Sequence, residues 1–333
     1  MAAYDALLFV SFGGPEKRED VIPFLENVLK GRNVPRERML EVAEHYYHFG
    51  GKSPINEQNR ELIAALKANF ESHGLVLPIY WGNRNWQPFI GDALQQMHAD
   101  GVRRAAVFVT SAYGSYSGCG QYREDIGRAL DATGLQDMVL EKLPQFCLTD
   151  AYTEVMAERV RDAYAKVSEF AALVFTAHSI PVSMAATSPY VQQLEQSCAS
   201  VAAAVGHAEW SLVYQSRSGP PTQPWLEPDI LAHLRKLHEA GAKEVVVCPI
   251  GFISDHMEVL YDLDTEAASL CEDLGIKMAR AGTAGSHPLF VDMIRKQILE
   301  AATTPILSRC SAGCCPTPQR PATGSSRQST SPA

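Results

Sequence analysis

The feature that most constrains this chain is a repeated alternation of short, β-branched apolar runs with longer amphipathic stretches. The runs fall at residues 4–10, 77–81, 105–110, 173–176, 211–214 and 244–248. They are largely apolar on both faces, which predicts strands of a parallel sheet covered on either side. Between them, stretches such as 59–73, 151–166 and 228–240 carry apolar residues at helical spacing and supply the crossovers. The fold class is α/β.

The two halves read as loose copies. Leu7-Leu8-Phe9-Val10-Ser11-Phe12-Gly13-Gly14-Pro15 parallels Leu173-Val174-Phe175-Thr176-Ala177-His178-Ser179-Ile180-Pro181. Residues 80–86 likewise parallel 214–217 with Trp225, and 108–113 parallel 247–252. Two Rossmann-like lobes facing across a cleft are expected, at 1–160 and 161–303. A tail at 304–333, rich in Pro, Ser, Thr and Gly, cannot bury enough apolar surface to fold alone. Ligands of open α/β sheets collect beyond the carboxyl ends of the strands, which makes the cleft the expected site.

Composition excludes several functions. With 29 Lys and Arg against 38 Asp and Glu, a net charge of −9 and no basic block, the chain lacks the cation cluster that nucleic acid requires. No run approaches the roughly 18 apolar residues of a membrane span, and no basic region precedes the apolar run at 6–12. A soluble, cytoplasmic protein is expected, and the eight cysteines then suit a reducing compartment. Gly51-Lys52-Ser53 ends like a phosphate-binding loop, but Tyr46 stands where its first glycine belongs, so no nucleotide cofactor is expected.

His178 directly follows a strand run, a placement that projects its imidazole from the sheet edge. A lone histidine there is ordinarily a structural hydrogen-bonding residue, and it gains weight only from its company. That company is Ser254-Asp255-His256-Met257-Glu258, after the 244–248 strand, which reads as a helix start with a Ser cap. Glu258, Asp262 and Glu266 are spaced four apart, a row of like charges on a helix. Such a row is either a solvated face or a path for a cation. Loops at 49–56, 83–86 and 111–122 combine glycine with Trp, Tyr and Phe and suit a flat aromatic ligand. His45 and His48, three apart on a helix, read as a surface pair before a ligand pair.

Together these residues resemble the ferrochelatases, over nearly the whole chain to about residue 303. The blocks, in order, are Ser11-Phe12-Gly13-Gly14-Pro15-Glu16, His48-Phe49-Gly50-Gly51-Lys52-Ser53-Pro54-Ile55-Asn56, Asn83-Arg84-Asn85-Trp86, Thr176-Ala177-His178-Ser179-Ile180-Pro181, Tyr214-Gln215-Ser216-Arg217-Ser218-Gly219-Pro220 and Ser254-Asp255-His256-Met257-Glu258. The resemblance implies a two-lobed chelatase fold, a porphyrin in the cleft and Fe2+ as the metal substrate. It implies His178 and Glu258 as the catalytic, metal-facing pair, with Asp262 and Glu266 along the metal path. Ser53 and Tyr122 match porphyrin-contacting positions, and Phe12 lies over the ring. Phe12 is also a departure, because some relatives carry a Tyr there whose oxygen can approach iron.

The style is most similar to the actinobacterial-type coproporphyrin III enzymes. Arg32, Arg36, Glu37 and Arg38 make residues 30–44 charged, and arginine suits the four propionates of coproporphyrin, so Arg32 joins the porphyrin-binding set. Protoporphyrin IX is the alternative substrate. A cobalt or nickel chelatase and a non-enzymatic haem carrier are the rival functions, and contacts with other haem-pathway enzymes are expected partners. Some relatives hold a [2Fe-2S] cluster on tail cysteines. Cys310, Cys314 and Cys315, with Cys147 as the fourth ligand, are the candidates, against a tail whose thiols bind nothing.

Overall fold

The structure is a computed structural model that describes residues 4–31, 34–220, 222–303 and 315–317. Two four-stranded parallel sheets are built from strands β1 (Ala6–Ser11), β2 (Ile79–Asn83), β3 (Arg104–Val109), β4 (Val139–Lys142), β5 (Ala172–His178), β6 (Trp210–Gln215), β7 (Glu244–Cys248) and β8 (Lys277–Arg280). Their orders are β2-β1-β3-β4 and β6-β5-β7-β8, one topology used twice. The expected repeat is therefore present in space. The bridge from Asn83 to Phe89 after β2 recurs as one from Tyr214 to Asp229 after β6.

The apolar runs announce the four central strands and also the edge strands β2 and β6. All six residues of β1 are buried, as are residues 173–177 of β5. The edge strands β4 and β8 were not expected, and their sequences, Val-Leu-Glu-Lys and Lys-Met-Ala-Arg, show why. These two edge strands carry charged residues that break the apolar run, whereas the edge strands β2 and β6 carry none.

A single aromatic core joins the lobes. The Phe108 and Phe146 rings stack at 5.6 Å, Phe146 meets Phe290 at 5.2 Å, and Tyr152 meets Phe290 at 6.2 Å. Tyr113 and Tyr152 both donate their hydroxyls to the Ile250 carbonyl, at 3.1 and 2.9 Å, so the first half of the chain holds the loop after β7. The expected lobe boundary at 160/161 falls inside the helix Asp150–Tyr164, which packs on the second sheet. The last long helix, Pro288–Thr303, returns to pack on helix Ile55–Ser72 and β3 of the first lobe. No helix among the described residues is long and apolar enough to cross a membrane.

Candidate active site

His178 is the last residue of β5, where the strand ends and the chain turns away through Ser179. Its Nδ1 bonds the Ser179 carbonyl; a carbonyl only accepts, so Nδ1 carries the hydrogen and Nε2 is left for chemistry. Nε2 lies 3.5 Å from Oε1 of Glu258. The Tyr190 hydroxyl donates to the His178 carbonyl at 2.9 Å, and the Ser179 N–H donates to the Gln215 carbonyl at 2.8 Å. The imidazole is thus fixed through its own backbone.

Glu258 lies in a short helix, Met257–Val259, whose cap is His256: Nδ1 accepts from the Glu258 N–H at 3.2 Å. The Ser254 cap expected from the sequence is corrected accordingly. The chain then continues as a π-helix over Leu260–Ala267, not as an α-helix. Such i→i+5 segments are rare and concentrate at functional sites. Asp262 lies on that segment, and its Oδ2 accepts from the Gln215 amide at 3.2 Å and from the Ser216 hydroxyl. Gln215 also donates to the Glu258 carbonyl at 3.1 Å. Residue spacing had marked Glu258, Asp262 and Glu266 as a row but not Gln215 and Ser216, which hold it. Their only sequence signal was membership of the block at 214–220.

The pair sits deep in the fold yet borders water, with His178 and Glu258 side chains 30% and 47% exposed. Burial alone would lower the His178 pKa, but the charge and hydrogen bond of Glu258, the Ser179 carbonyl and the charge of Asp262 outweigh it and raise it to about 9. Burial alone would raise Glu258, yet His178 and His256 bring it down to about 2. The two therefore stand as an imidazolium–carboxylate pair across the neutral range. Asp262 is pushed up to about 7, first by burial and then by Glu258 and Glu266, against the hydrogen bonds from Ser216 and Gln215. Glu266 is raised by burial and by Asp229. Accumulated negative charge with a partly protonated member is a strong attractor for a cation.

The first lobe presents an aromatic surface to this pair. Phe12 is half-buried and packs edge-on to Phe24 at 6.2 Å, and Phe24 packs on Tyr46 at 5.7 Å. The Tyr46 pKa is raised by burial and by the charge of Glu258, which brings that residue into the field of the other lobe. Tyr122 is 4% exposed beneath the Arg84 guanidinium, 4.5 Å away, while Arg84 also lies 5.7 Å from Phe12 and is paired with Asp125. Ser53 is 3% exposed and lies directly under Gly14, where a Cβ would come within 2.8 Å of its own. Ser53 and Tyr122 are both buried, one against Gly14 and the other beneath Arg84. Arg32 lies outside the described residues.

Beside the pair opens a pocket of about 460 Å³ lined by Arg18, Glu44, His45, Tyr47, His48 and Tyr261. His45 stacks on Tyr261 of the π-helix at 3.7 Å, so the two histidines read as a surface pair bridge the lobes at the cleft mouth. Gln58 and the Asp255 backbone make a second bridge, reciprocal bonds of 2.8 and 3.3 Å.

Cys147 is buried in the aromatic core, where burial pushes its thiol pKa up to about 12, far from the thiolate a cluster needs. Cys315 is buried against Gly120 of the first lobe, and Thr317 donates to Glu124 at 2.7 Å. Cys310 and Cys314 lie outside the described residues. Among the described residues no three His, Cys, Asp or Glu side chains gather closely enough to hold a metal. Glu258 presents a carboxylate to a cation, and His178 a nitrogen lone pair only once its Nε2 proton has left.

A twice-used parallel α/β lobe, with a histidine at one strand end opposed by a carboxylate on the short helix that leads into a π-helix, defines a chelatase-type protein. Solved structures share the fold: the sirohydrochlorin chelatase SirB from Bacillus subtilis subspecies spizizenii in complex with cobalt superposes with a TM-score of 0.55 at 13% identity, covering 90% of this chain and 96% of that one. CbiX, described as the terminal enzyme for biosynthesis of sirohaem in denitrifying bacteria, superposes at 0.51 with 14% identity, covering 89% and 99%. The ferrochelatase family profile matches residues 4–302. A ferrochelatase of Rhodopirellula baltica is 53% identical, covering 96% of this chain and 95% of its own. The coproporphyrin III ferrochelatases of Mycolicibacterium smegmatis and Nocardia farcinica are 50% and 46% identical, over 88% and 96% of this chain and 88% and 99% of theirs. The chain belongs to the ferrochelatase family.

Proposed function

We propose that this chain inserts ferrous iron into coproporphyrin III to give Fe-coproporphyrin III (coprohaem) in haem biosynthesis, within the cytoplasm and beside other enzymes of that pathway. The observation that carries the reading is the His178–Glu258 pair, set 3.5 Å apart between a strand end and the short helix Met257–Val259 in a ferrochelatase-family fold. Insertion replaces two pyrrole protons by one Fe2+, so the site must attract a dication and accept protons. Glu258, Asp262 and Glu266 do the first. His178 does the second once its own proton leaves.

Glu258 holds that proton in place. A dication arriving at the carboxylate cancels the charge that raises His178, whose pKa then falls toward its ordinary value of about 6.5. The imidazole becomes a base as the metal arrives, which couples the two halves of the reaction. Phe12 offers an aromatic face to the ring but no oxygen to the product iron, while Ser53 and Tyr122, beside Gly14 and Arg84, contact the porphyrin.

Coproporphyrin III is favoured by the charged helix Arg36–His48, whose exposed Arg36, Glu37 and Arg38 precede His45 and Tyr46 at the site. Relatives named for that substrate, from two genera, support the same choice. Anaerobic Fe2+ insertion into coproporphyrin III and protoporphyrin IX, followed side by side by loss of free-porphyrin fluorescence, tests it. Faster turnover of protoporphyrin IX would leave the chelatase and overturn the substrate. Turnover of neither would return the cobalt or nickel chelatase and the haem carrier.

A [2Fe-2S] cluster on Cys147, Cys310, Cys314 and Cys315 stays a proposal on which no step depends. Its support is that the chain at 315–317 packs back on the first lobe through Gly120 and Glu124. Iron and acid-labile sulfide in anaerobically purified protein decide it, and absence of sulfide removes it.

A further inference from the structure

We propose that Gln215 and Ser216 are positioning residues that set the spacing of the His178–Glu258 pair, an inference that rests on the chelatase reading above. Gln215 is the last residue of β6 and lies beside His178 in the parallel register. It touches both partners by different atoms. Its backbone carbonyl accepts from the Ser179 N–H at 2.8 Å, and the Ser179 carbonyl in turn accepts from His178 Nδ1. Its side-chain amide donates to the Glu258 carbonyl at 3.1 Å and to Asp262 Oδ2 at 3.2 Å. One residue, 1% exposed, therefore links the strand end that carries the imidazole to the short helix that carries Glu258 and the π-helix that carries Asp262.

Ser216 supplies the second half of the latch. Its φ is +60°, the only positive value at a non-glycine position among the described residues. That conformation is disfavoured for an L side chain, and such outliers persist where the surroundings hold them. Here it turns the chain out of β6 so that the hydroxyl reaches the same Asp262 oxygen that Gln215 holds. A tight turn alone would be better served by glycine. The hydroxyl is what glycine would lack.

Gln215 Oε1 is also buried with no partner, as is Thr176 Oγ1, two residues before His178 on the same face of β5. A buried acceptor and a buried hydroxyl without partners are rare in native folds. They indicate that the amide is placed for the bonds its nitrogen makes, at the expense of its oxygen.

The test uses the full chain with Q215L and S216G. The first removes both amide bonds at similar volume; the second keeps a residue suited to positive φ and removes only the hydroxyl. For Q215L we expect kcat for Fe2+ insertion to fall 10-fold or more, with a raised KM for metal and porphyrin affinity within twofold of native. S216G should fall by a smaller factor in the same direction, at equal or higher Tm. Crystals of Q215L should show the Nε2–Oε1 separation widened beyond the native one. That measurement needs no turnover, so it judges the latch even where the native protein proves not to insert iron. An unchanged separation, or Q215L kinetics within twofold of native in a folded protein, would overturn it. A loss that lowers porphyrin affinity and Tm alike while sparing the metal KM would mark Gln215 as merely structural.

Discussion

Nε2 of His178 and Oε1 of Glu258 stand 3.5 Å apart, one carried by a strand of the second sheet and the other by the first turn of the helix that leads into a π-helix. Each perturbs the other: the carboxylate raises the imidazole to about 9 against burial, and the imidazolium takes the carboxylate down to about 2 against burial.

His178→Ala removes the base and half of the pair. General acid–base groups are worth about 10² to 10⁴ in rate, so insertion should fall by that range while the aromatic wall still binds porphyrin. Fluorescence quenching titration alongside turnover checks both. Full activity in this variant would sink the mechanism.

The pair also predicts a pH dependence of stability. His178 is raised, so its contribution is full below its unfolded value of about 6.5 and is lost as pH rises through about 9. Glu258 is depressed, so its contribution is full above its unfolded value of about 4.5 and is lost as pH falls through about 2. Glu258→Gln should flatten the part of the alkaline fall in Tm that lies between those His178 values, and histidine NMR should find His178 titrating lower. Parallel Tm curves for the two proteins would contradict this.

Asp262→Asn removes one negative charge beside Glu258. The expected result is a metal KM raised about 3- to 10-fold, with kcat changed less, because a charge in a cleft acts on local cation concentration. Steady-state assays with Fe2+ varied at saturating porphyrin measure it, and the effect should shrink at high ionic strength. A change confined to kcat would place Asp262 in the chemical step.

Phe290→Ala opens the core that ties the lobes together. Phe290 is fully buried against Phe108, Phe146 and Tyr152, and buried Phe→Ala costs about 3–5 kcal/mol. Urea unfolding should report a loss in that range. A loss under about 1 kcal/mol would show that the core closes over the gap.

Much of the fold is written in local pattern. The runs at 105–110 and 244–248 are apolar whichever face is counted, and only a covered central strand tolerates that, so the parallel sheets and their duplication were legible. β4 and β8 were not, because charged residues interrupt their short apolar runs, as they do not in the other two edge strands, β2 and β6. His178 and Glu258 were legible as neighbours of strand ends within recognisable blocks.

The π-helix was not legible: Glu258, Asp262 and Glu266 keep a spacing that an α-helix satisfies equally well, and the bonds that Gln215 and Ser216 make to Asp262 come from a segment more than forty residues away. Nor was the His45–Tyr261 stack, which joins residues more than two hundred positions apart. By itself the sequence determined the α/β class, the repeat and the residue types that can bind a metal and move protons, because these follow from periodicity and side-chain chemistry. Tertiary structure alone decided that Gln215 bonds both sides of the pair, that Ser53 packs against Gly14 and Tyr122 beneath Arg84, and that burial and opposed charge set the protonation of His178 and Glu258. Distances and local dielectric arise only when distant segments pack.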